Sequence, residues 1–198
     1  MGAILGREGF PLMLRSVVVA ALLSAANAAW ADAIADKAEV CTACHGEQGL
    51  PAEPAIPIIW GQNEGYLYLE LRDFQKGARK DDQMTPIAQT LTKEDAQALA
   101  AYFAGKPWPK TGAPSASKTD EAAAMTAIKS VVCTSCHREQ FQGDSSIPRL
   151  AGQQHDYLAK TMTDFRTRAR ANNPGMSDLM NTVTPEQLTA MAAYLAGL

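Results

Sequence analysis

Cysteine is scarce in this 198-residue sequence, and all four cysteines lie inside two copies of one short motif. The first copy is CTACHGEQG (41–49) and the second, CTSCHREQF, begins at Cys133. No cysteine is left over for a structural disulfide or a lone nucleophile. Histidine is equally scarce, and two of the three histidines, His45 and His137, also belong to the motif.

The sequence also lacks the alternation of apolar and polar residues that is typical of a half-buried strand. Instead, Leu67, Leu71 and Phe74 recur at the spacing of a helical face. Hydrophobic residues make up 46% and charged residues 20%, an ordinary globular composition. We therefore predict an all-α protein.

A long hydrophobic run is missing as well. The apolar segment from Val17 to Ala26 is shorter than the roughly 20 residues that a membrane span needs. It follows Arg15 and precedes small residues, which is the pattern of a secretory signal peptide. We predict cleavage after Ala31, with Ala28 as the other option, and export to the periplasm; the alternative is an uncleaved amphipathic anchor.

The cysteine motif is part of a longer repeat. Its two copies are 92 positions apart, and IPIIWGQNEGYL (56–67) matches IPRLAGQQHDYL (147–158) at an offset of 91. Between the copies lies GKPWPKTGAPSASKTD (105–120), whose Pro, Gly and Ser content is typical of a linker. The chain is therefore a tandem duplication. We predict a signal peptide over residues 1–31 and a first domain over 32–106. A linker over 107–119 and a second domain over 120–198 follow.

Each copy predicts the same order of helices. The first pair spans roughly Ile34–Cys44 and Glu121–Cys136, and the second pair Glu64–Lys76 and Gln154–Arg168. A polar loop with a methionine follows. The last helices have N-cap signals at Thr92 and Thr184 and glycines at their ends, Gly105 and Gly197.

The C-x-x-C-H motif is the attachment signature of c-type haem. Two thiols add across the haem vinyl groups, and the adjacent histidine binds the iron. We predict covalent attachment of two haem c groups, with axial histidines His45 and His137, through Cys41, Cys44, Cys133 and Cys136. Two alternatives are paired zinc ligands and thioredoxin-type disulfides. Each copy supplies only three zinc ligands, however, and the βαβ context of thioredoxin is absent.

The sixth iron ligand is predicted to be methionine. The processed first copy contains one histidine, His45, and one methionine, Met84, which lies 39 residues later. Met176 lies 39 residues after His137 in the same way. Met180 is the rival in the second copy, but it aligns with an alanine. His155 is predicted to be a surface residue.

The strings CTACH, IPIIWGQ, QMTP and YFAG, with CTSCH, IPRLAGQ, GMSD and YLAG in the second copy, resemble the dihaem cytochrome c4 family over the whole processed chain. The resemblance implies two tandem class I cytochrome c domains that meet across a pseudo-twofold interface near the haem propionates. It also implies that the carbonyls of Pro57 and Pro148 orient the axial histidines. Trp60, where the second copy has Ala151, and the GLPAEPAIP segment depart from the family pattern.

The resemblance implies a periplasmic electron carrier between a quinol-oxidising complex, such as quinol–cytochrome c reductase, and a terminal oxidase. It is not an enzyme, because a six-coordinate iron has no open position for substrate. The alternative is the electron-accepting subunit of a flavocytochrome-type dehydrogenase. A dihaem enzyme acting on thiosulfate or peroxide is a third, less favoured option. We expect redox proteins as partners, no nucleic acid, and at most loose membrane association.

Charge is distributed unevenly between the two predicted domains. Residues 32–106 contain seven Lys/Arg and twelve Asp/Glu, a net charge of −5, whereas residues 107–198 contain nine and eight, a net charge of +1. Because a negative neighbour disfavours the addition of an electron, we predict the lower reduction potential for the N-terminal haem.

Overall fold

The computed structural model describes residues 33–198, so the predicted signal peptide lies outside the described residues. The described part is helical and contains no strand, apart from one isolated bridge between Asp144 and Ile147. The predicted all-α fold is confirmed. No helix within residues 33–198 is long and apolar enough to cross a membrane.

The helices form two sets, one in each copy of the repeat. The first set comprises α1 over residues 33–45, α2 (Glu64–Gln75), α3 (Met84–Gln89) and α4 (Lys93–Ala104). The second set comprises α5 (Lys118–Ser130), α6 (Thr134–His137), α7 (His155–Thr167), α8 (Pro174–Asn181) and α9 (Pro185–Ala196). We call residues 33–105 the first unit and residues 117–198 the second unit.

Local sequence signals determine where the last helix of each unit begins. The Thr92 hydroxyl accepts the backbone N–H of Asp95 at 3.0 Å, and the Asp95 carboxylate accepts that of Thr92 at 3.2 Å. Thr184 and Gln187 form the same reciprocal pair at 3.3 and 3.0 Å. Both predicted N-caps are therefore confirmed, each as part of a capping box.

Each unit has its own hydrophobic core. In the first unit α2 packs against α3 and α4, and in the second unit α7 and α5 pack against α9, with α8 on α7. Leu67, Leu99 and Phe103 are among the buried residues of the first core. Leu158, Phe165 and Leu195 belong to the second. Cys41 and Cys133 pack at the borders of these cores, so each unit carries its cysteine motif on its own core.

The predicted helix over Glu121–Cys136 is wrong in one respect, because it breaks after Ser130 and resumes at Thr134. Val132 has a positive φ of 49° and is exposed. The second unit has Val131–Val132 where the first unit has Glu39–Val40 within a continuous helix. The additional β-branched residue lowers the helix propensity at this point.

The prediction that loops carry the two methionines is also wrong. Met84 is the first residue of α3 and Met176 lies in the first turn of α8. The side-chain oxygens of Asp81 and Asn173 accept the backbone N–H groups of Met84 and Met176 at 3.0 and 3.1 Å. These hydrogen bonds satisfy backbone donors that a helix start leaves unpaired, so α3 begins at Met84 and α8 begins two residues before Met176.

The two units meet through hydrogen bonds that obey approximate twofold symmetry. Gln62 uses its side-chain amide to bond the backbone N–H and C=O of Arg149 at 2.7 and 2.9 Å. Gln153 bonds the backbone of Ile58 in the same way at 2.8 and 3.0 Å. Because Gln62 and Gln153 are equivalent in the repeat, as are Ile58 and Arg149, the interface is formed twice by the same repeat positions.

The predicted linker packs against this interface. Trp108 stacks under the guanidinium of Arg149, 4.6 Å from the ring centroid. Gly61 has a φ of +65°, and a Cβ added there would lie 2.7 Å from the Trp108 backbone nitrogen. A Cβ on Gly152 would lie 3.1 Å from the Trp108 indole nitrogen. The segment therefore crosses the boundary in contact with both units.

Candidate haem sites

Helices α1 and α6 present the two cysteine motifs. Cys41 and Cys44 lie one helical turn apart on α1, which puts both thiols on the same face. Cys133 is the N-cap of α6, and Cys136 lies within that helix. Within residues 33–198 none of the four cysteines forms a disulfide. The second thiol of each pair is exposed and the first is half-buried, and burial raises the pKa of Cys41 and Cys133.

The two motif histidines are buried, with exposures of 5% for His45 and 6% for His137. Their Nδ1 atoms lie 2.7 Å from the carbonyl oxygen of Pro57 and 3.0 Å from that of Pro148. A carbonyl only accepts hydrogen bonds, so Nδ1–H is the donor and Nε2 is the unprotonated nitrogen.

Burial also determines the charge of these imidazoles. It lowers the pKa of His45 and His137, and this effect outweighs the opposing one of the proline carbonyls. Neutral imidazole is the form that binds a metal through Nε2. The hydrogen bond at Nδ1 orients the ring and raises the basicity of the ligand.

Each methionine helix lies on the same cleft or core as the cysteine motif of its unit. In the first unit an open cleft is lined by Cys41 of α1, Ile87 of α3 and Leu91, so the helix that begins with Met84 faces the attachment motif. In the second unit Met176 and Cys133 pack against the same buried core. Both methionines are partly exposed.

The rival residues have other surroundings. Met180 is 2% exposed within the second core, and its repeat equivalent, Ala88, is fully buried in the first unit. Met180 therefore occupies a packing position. His155 is exposed at the start of α7, where its Nδ1 lies 2.7 Å from the carboxylate of Asp156.

The metal-binding and thiol side chains of each unit fit haem c better than they fit a metal ion held by protein ligands alone. Each unit offers a pair of free thiols, one buried imidazole with Nε2 unprotonated, and one methionine thioether. Within residues 33–198 no three His, Cys, Asp or Glu side chains are grouped to hold a metal ion. A cofactor that brings its own iron and forms bonds to thiols matches this set of donors.

Sequence reasoning missed a buried polar cluster between the units. Arg170 of the second unit donates to the Tyr66 hydroxyl at 3.5 Å. In the same way, Arg79 of the first unit donates to the Tyr157 hydroxyl at 3.3 Å. Burial favours the neutral form of both tyrosines. It raises the pKa of Tyr66, whereas the two guanidinium groups outweigh it at Tyr157 and lower the pKa to about 8. One signal in the sequence could have revealed the cluster. Tyr66 and Tyr157 are 91 positions apart, as are Arg79 and Arg170, so both residue types recur in the repeat.

Comparison with known proteins gives the family. The family model for cytochrome c matches residues 121–198. A cytochrome c4 from Azotobacter vinelandii is 34% identical over 82% of this chain and 86% of its own length. The chain belongs to the cytochrome c4 family.

Two further comparisons extend the likeness. A thiosulfate dehydrogenase electron acceptor from Thiomonas intermedia is 34% identical over 96% of this chain and 93% of its own. The crystal structure of reduced recombinant cytochrome c4 from Pseudomonas stutzeri superposes with a TM-score of 0.73 at 29% identity, covering 84% of this chain and 97% of that one.

Membership of the cytochrome c4 family confirms the predicted haem c cofactor and the predicted dihaem cytochrome c fold. Cytochromes c4 are electron-transfer proteins. This chain is accordingly an electron carrier and not an enzyme, as predicted.

Proposed function

We propose that this chain is a periplasmic carrier that passes single electrons from a quinol-oxidising complex to a terminal oxidase through two haem sites. The observation that carries the proposal is the buried imidazole with Nδ1–H bonded to a proline carbonyl, which occurs at matching positions in both units. A pair of equivalent sites in one chain suits a protein that stores and relays electrons.

Each site is assigned one set of residues. Cys41 and Cys44 attach the first haem and Cys133 and Cys136 the second. His45 and Met84 would hold the iron in the first unit, and His137 and Met176 in the second. The carbonyls of Pro57 and Pro148 accept from Nδ1–H, which orients the histidine rings and leaves Nε2 available to bind the iron.

The chemistry follows from this ligand set. Bound haem supplies an iron that gains or loses one electron, and a thioether ligand raises its potential relative to a second histidine. With one histidine and one methionine bound to it, the iron would have no position open for a substrate. The protein would therefore exchange electrons with partner proteins.

The proposed domain organisation completes this function. A signal peptide over residues 1–31 exports the chain, haem domains occupy 32–106 and 120–198, and the segment 107–119 connects them. The contacts of Trp108 with both units support a connector that keeps the domains together.

A second function is that of a dedicated electron acceptor for a dehydrogenase, either a flavocytochrome-type enzyme or a thiosulfate dehydrogenase. The relative from Thiomonas intermedia, named as an acceptor of the latter kind, favours this option. The two functions differ in the donor alone. Rapid reduction by thiosulfate plus a thiosulfate dehydrogenase, and slow reduction by a quinol-oxidising complex, would favour the acceptor role.

Ligand variants test the assignment of the two sites. Met84→Ala should abolish the thioether-to-iron charge-transfer band of one haem, and Met176→Ala that of the other. Met180→Ala is the matched control, since it removes a core methionine from the same helix as Met176 and should leave both bands intact. If Met84→Ala or Met176→Ala retains two intact bands, the assignment is wrong.

A turnover assay tests the carrier role separately. The purified wild-type protein, with both methionines bound, should exchange electrons rapidly with small cytochromes and should turn over neither peroxide nor thiosulfate on its own. Robust turnover of either substrate would contradict the proposed function.

A further inference from the structure

Among its charged residues, the polar cluster at the boundary contains one exception to the twofold symmetry. We call it the interface cluster, and it consists of Tyr66, Glu70, Arg79, Tyr157, Arg170 and Asn172. The tyrosines are repeat equivalents, and so are the arginines. Both arginines also stack on an equivalent phenylalanine of their own unit, at 4.6 and 4.4 Å from the ring centroids. Glu70 is the exception, because its equivalent is Thr161.

Glu70 binds both symmetry-related arginines. Its Oε2 accepts from Arg79 of its own unit at 2.7 Å, and its Oε1 accepts from Arg170 of the second unit. Asn172 of the second unit also donates to Oε2, at 3.2 Å. The three charged side chains are between 7% and 14% exposed, so water screens them little.

The charges of the cluster do not balance. Two buried guanidinium groups share one carboxylate, since the nearby Asp73 pairs with Arg72 at 2.9 Å. A buried charge without a partner is strongly unfavourable. Without Glu70 the two guanidinium groups would face each other across the boundary with no carboxylate between them.

We propose that Glu70 is a positioning residue that holds the two units together by sharing its carboxylate between Arg79 and Arg170, and that its negative charge lowers the reduction potential of both haem sites. The second unit contributes an arginine but no acid to this contact. One residue therefore serves both halves of an otherwise symmetric interface.

The symmetry of the arginines makes the proposal testable by moving the carboxylate. Glu70→Thr gives the first unit the residue that the second unit has at this position. Thr161→Glu added to that variant supplies the carboxylate from the opposite side of the same pair. If Glu70 acts through the shared arginines, the carboxylate at position 161 should restore the unfolding behaviour and the potentials that Glu70→Thr changes. If Glu70 acts only within α2, the carboxylate at position 161 should restore neither.

Two measurements on the full-length holoprotein report on the proposal. In Glu70→Thr the units should unfold in denaturant at separate midpoints instead of together. The equilibrium constant for reducing each haem should rise about tenfold, which corresponds to roughly 59 mV for one electron. Both properties should return towards wild-type in Glu70→Thr/Thr161→Glu. Thr161→Glu alone, which adds a second acid, should lower both potentials.

Glu64→Thr is the matched control, because Glu64 is an exposed acid on the same helix. It should leave both measurements unchanged. Unchanged potentials and unfolding in Glu70→Thr, or no recovery in the double variant, would overturn the proposal. The redox part of this inference rests on the proposed function. If the proposed function is wrong, the wild-type protein itself will lack two reducible haems, which distinguishes that outcome from a failure of the Glu70 proposal.

Discussion

Asp81 and Asn173 occupy equivalent positions and differ in one charge. Each side-chain oxygen accepts the backbone N–H of the methionine assigned to the iron. Asp81 accepts the N–H of Gln83 as well. Partial burial raises the pKa of its carboxyl, but the hydrogen bonds from Met84 and Gln83, together with the charges of Lys160 and Arg79, outweigh burial and lower the pKa. Asp81 is therefore an anion at neutral pH, beside the first site alone.

Exchanging these two residues should shift the potentials in opposite directions. Asp81→Asn keeps the cap and removes the charge, so the potential of the first haem should rise. Asn173→Asp should lower that of the second. A unit charge about 10 Å away contributes roughly 0.4 to 1.7 kcal/mol, or about 20 to 70 mV. Redox titration followed by haem methyl NMR measures each site; shifts of the same sign in the two variants would contradict the prediction.

Arg138 stands where the first unit has Gly46, and both have a positive φ, 66° and 88°. With ψ at 166°, Arg138 is in a region that is almost restricted to glycine. Its ion pair with Asp144 joins two side chains that are more than half exposed, and such pairs contribute at most about 1 kcal/mol.

Arg138→Gly should therefore stabilise the second unit. Relief of strain is worth about 1–3 kcal/mol. At the middle of its range this exceeds the lost ion pair, at most about 1 kcal/mol, together with the about 0.4–1 kcal/mol that glycine costs through the unfolded chain. Denaturant unfolding of the holoprotein measures the change. Asp144→Ala, which removes the ion pair and leaves the strain, is the control and should be neutral or slightly destabilising. A lower stability of Arg138→Gly than of Asp144→Ala would refute the explanation.

At the scale of elements, the capping boxes of α4 and α9 make a matched pair. Thr92→Ala and Thr184→Ala each remove one side-chain cap from the last helix of one unit. Each should cost about 1 kcal/mol of stability, and the local fraying should appear in the first turn of the helix that contains the change. Hydrogen exchange resolved by residue distinguishes the units.

Thr189→Ala is the control for the capping prediction. Thr189 is an exposed threonine inside α9 whose hydroxyl donates to the Pro185 carbonyl at 3.1 Å and caps nothing. Alanine has the higher helix propensity, so this change should be neutral or slightly stabilising. Equal losses in Thr184→Ala and Thr189→Ala would show that the cap is not the cause.

At the scale of the whole molecule, the charge difference of −5 against +1 remains the basis for ordering the two haems. Ion pairs in the structure partly neutralise the positive charge near the second site. Arg168 pairs with Asp178 at 2.7 Å, and Arg170 shares Glu70 with the first unit. The anionic Asp81 at the first site has no such partner among the ion pairs of the described residues, so the direction of the difference stands.

We expect the N-terminal haem to have the lower potential, by tens of millivolts, so that electrons rest on the C-terminal haem. The surface part of this difference should shrink as salt rises, because the Debye length falls from about 30 Å at 0.01 M to about 10 Å at 0.1 M. Redox titration at the two ionic strengths tests this. Earlier reduction of the N-terminal haem at low ionic strength would show that burial or ligand geometry outweighs charge.

The sequence by itself determined the properties that depend on short stretches of chain or on the duplication. The haem-binding motif, the caps at Thr92 and Thr184 and the bounds of α2 and α7 are local, because caps and helical periodicity act within a few residues. The two-unit organisation and the methionine pairs at Met84 and Met176 could be predicted because the repeat displays each feature twice.

Only the tertiary structure decided how the units meet. The break at Val132 and the helical start at Met84 depend on backbone hydrogen bonds that compete with helix propensity. Glu70 and Arg170 are 100 positions apart, and a surface ion pair and a buried one look the same in a sequence. Burial makes the difference, because it removes the screening by water and turns a shared carboxylate into a constraint on both halves of the molecule.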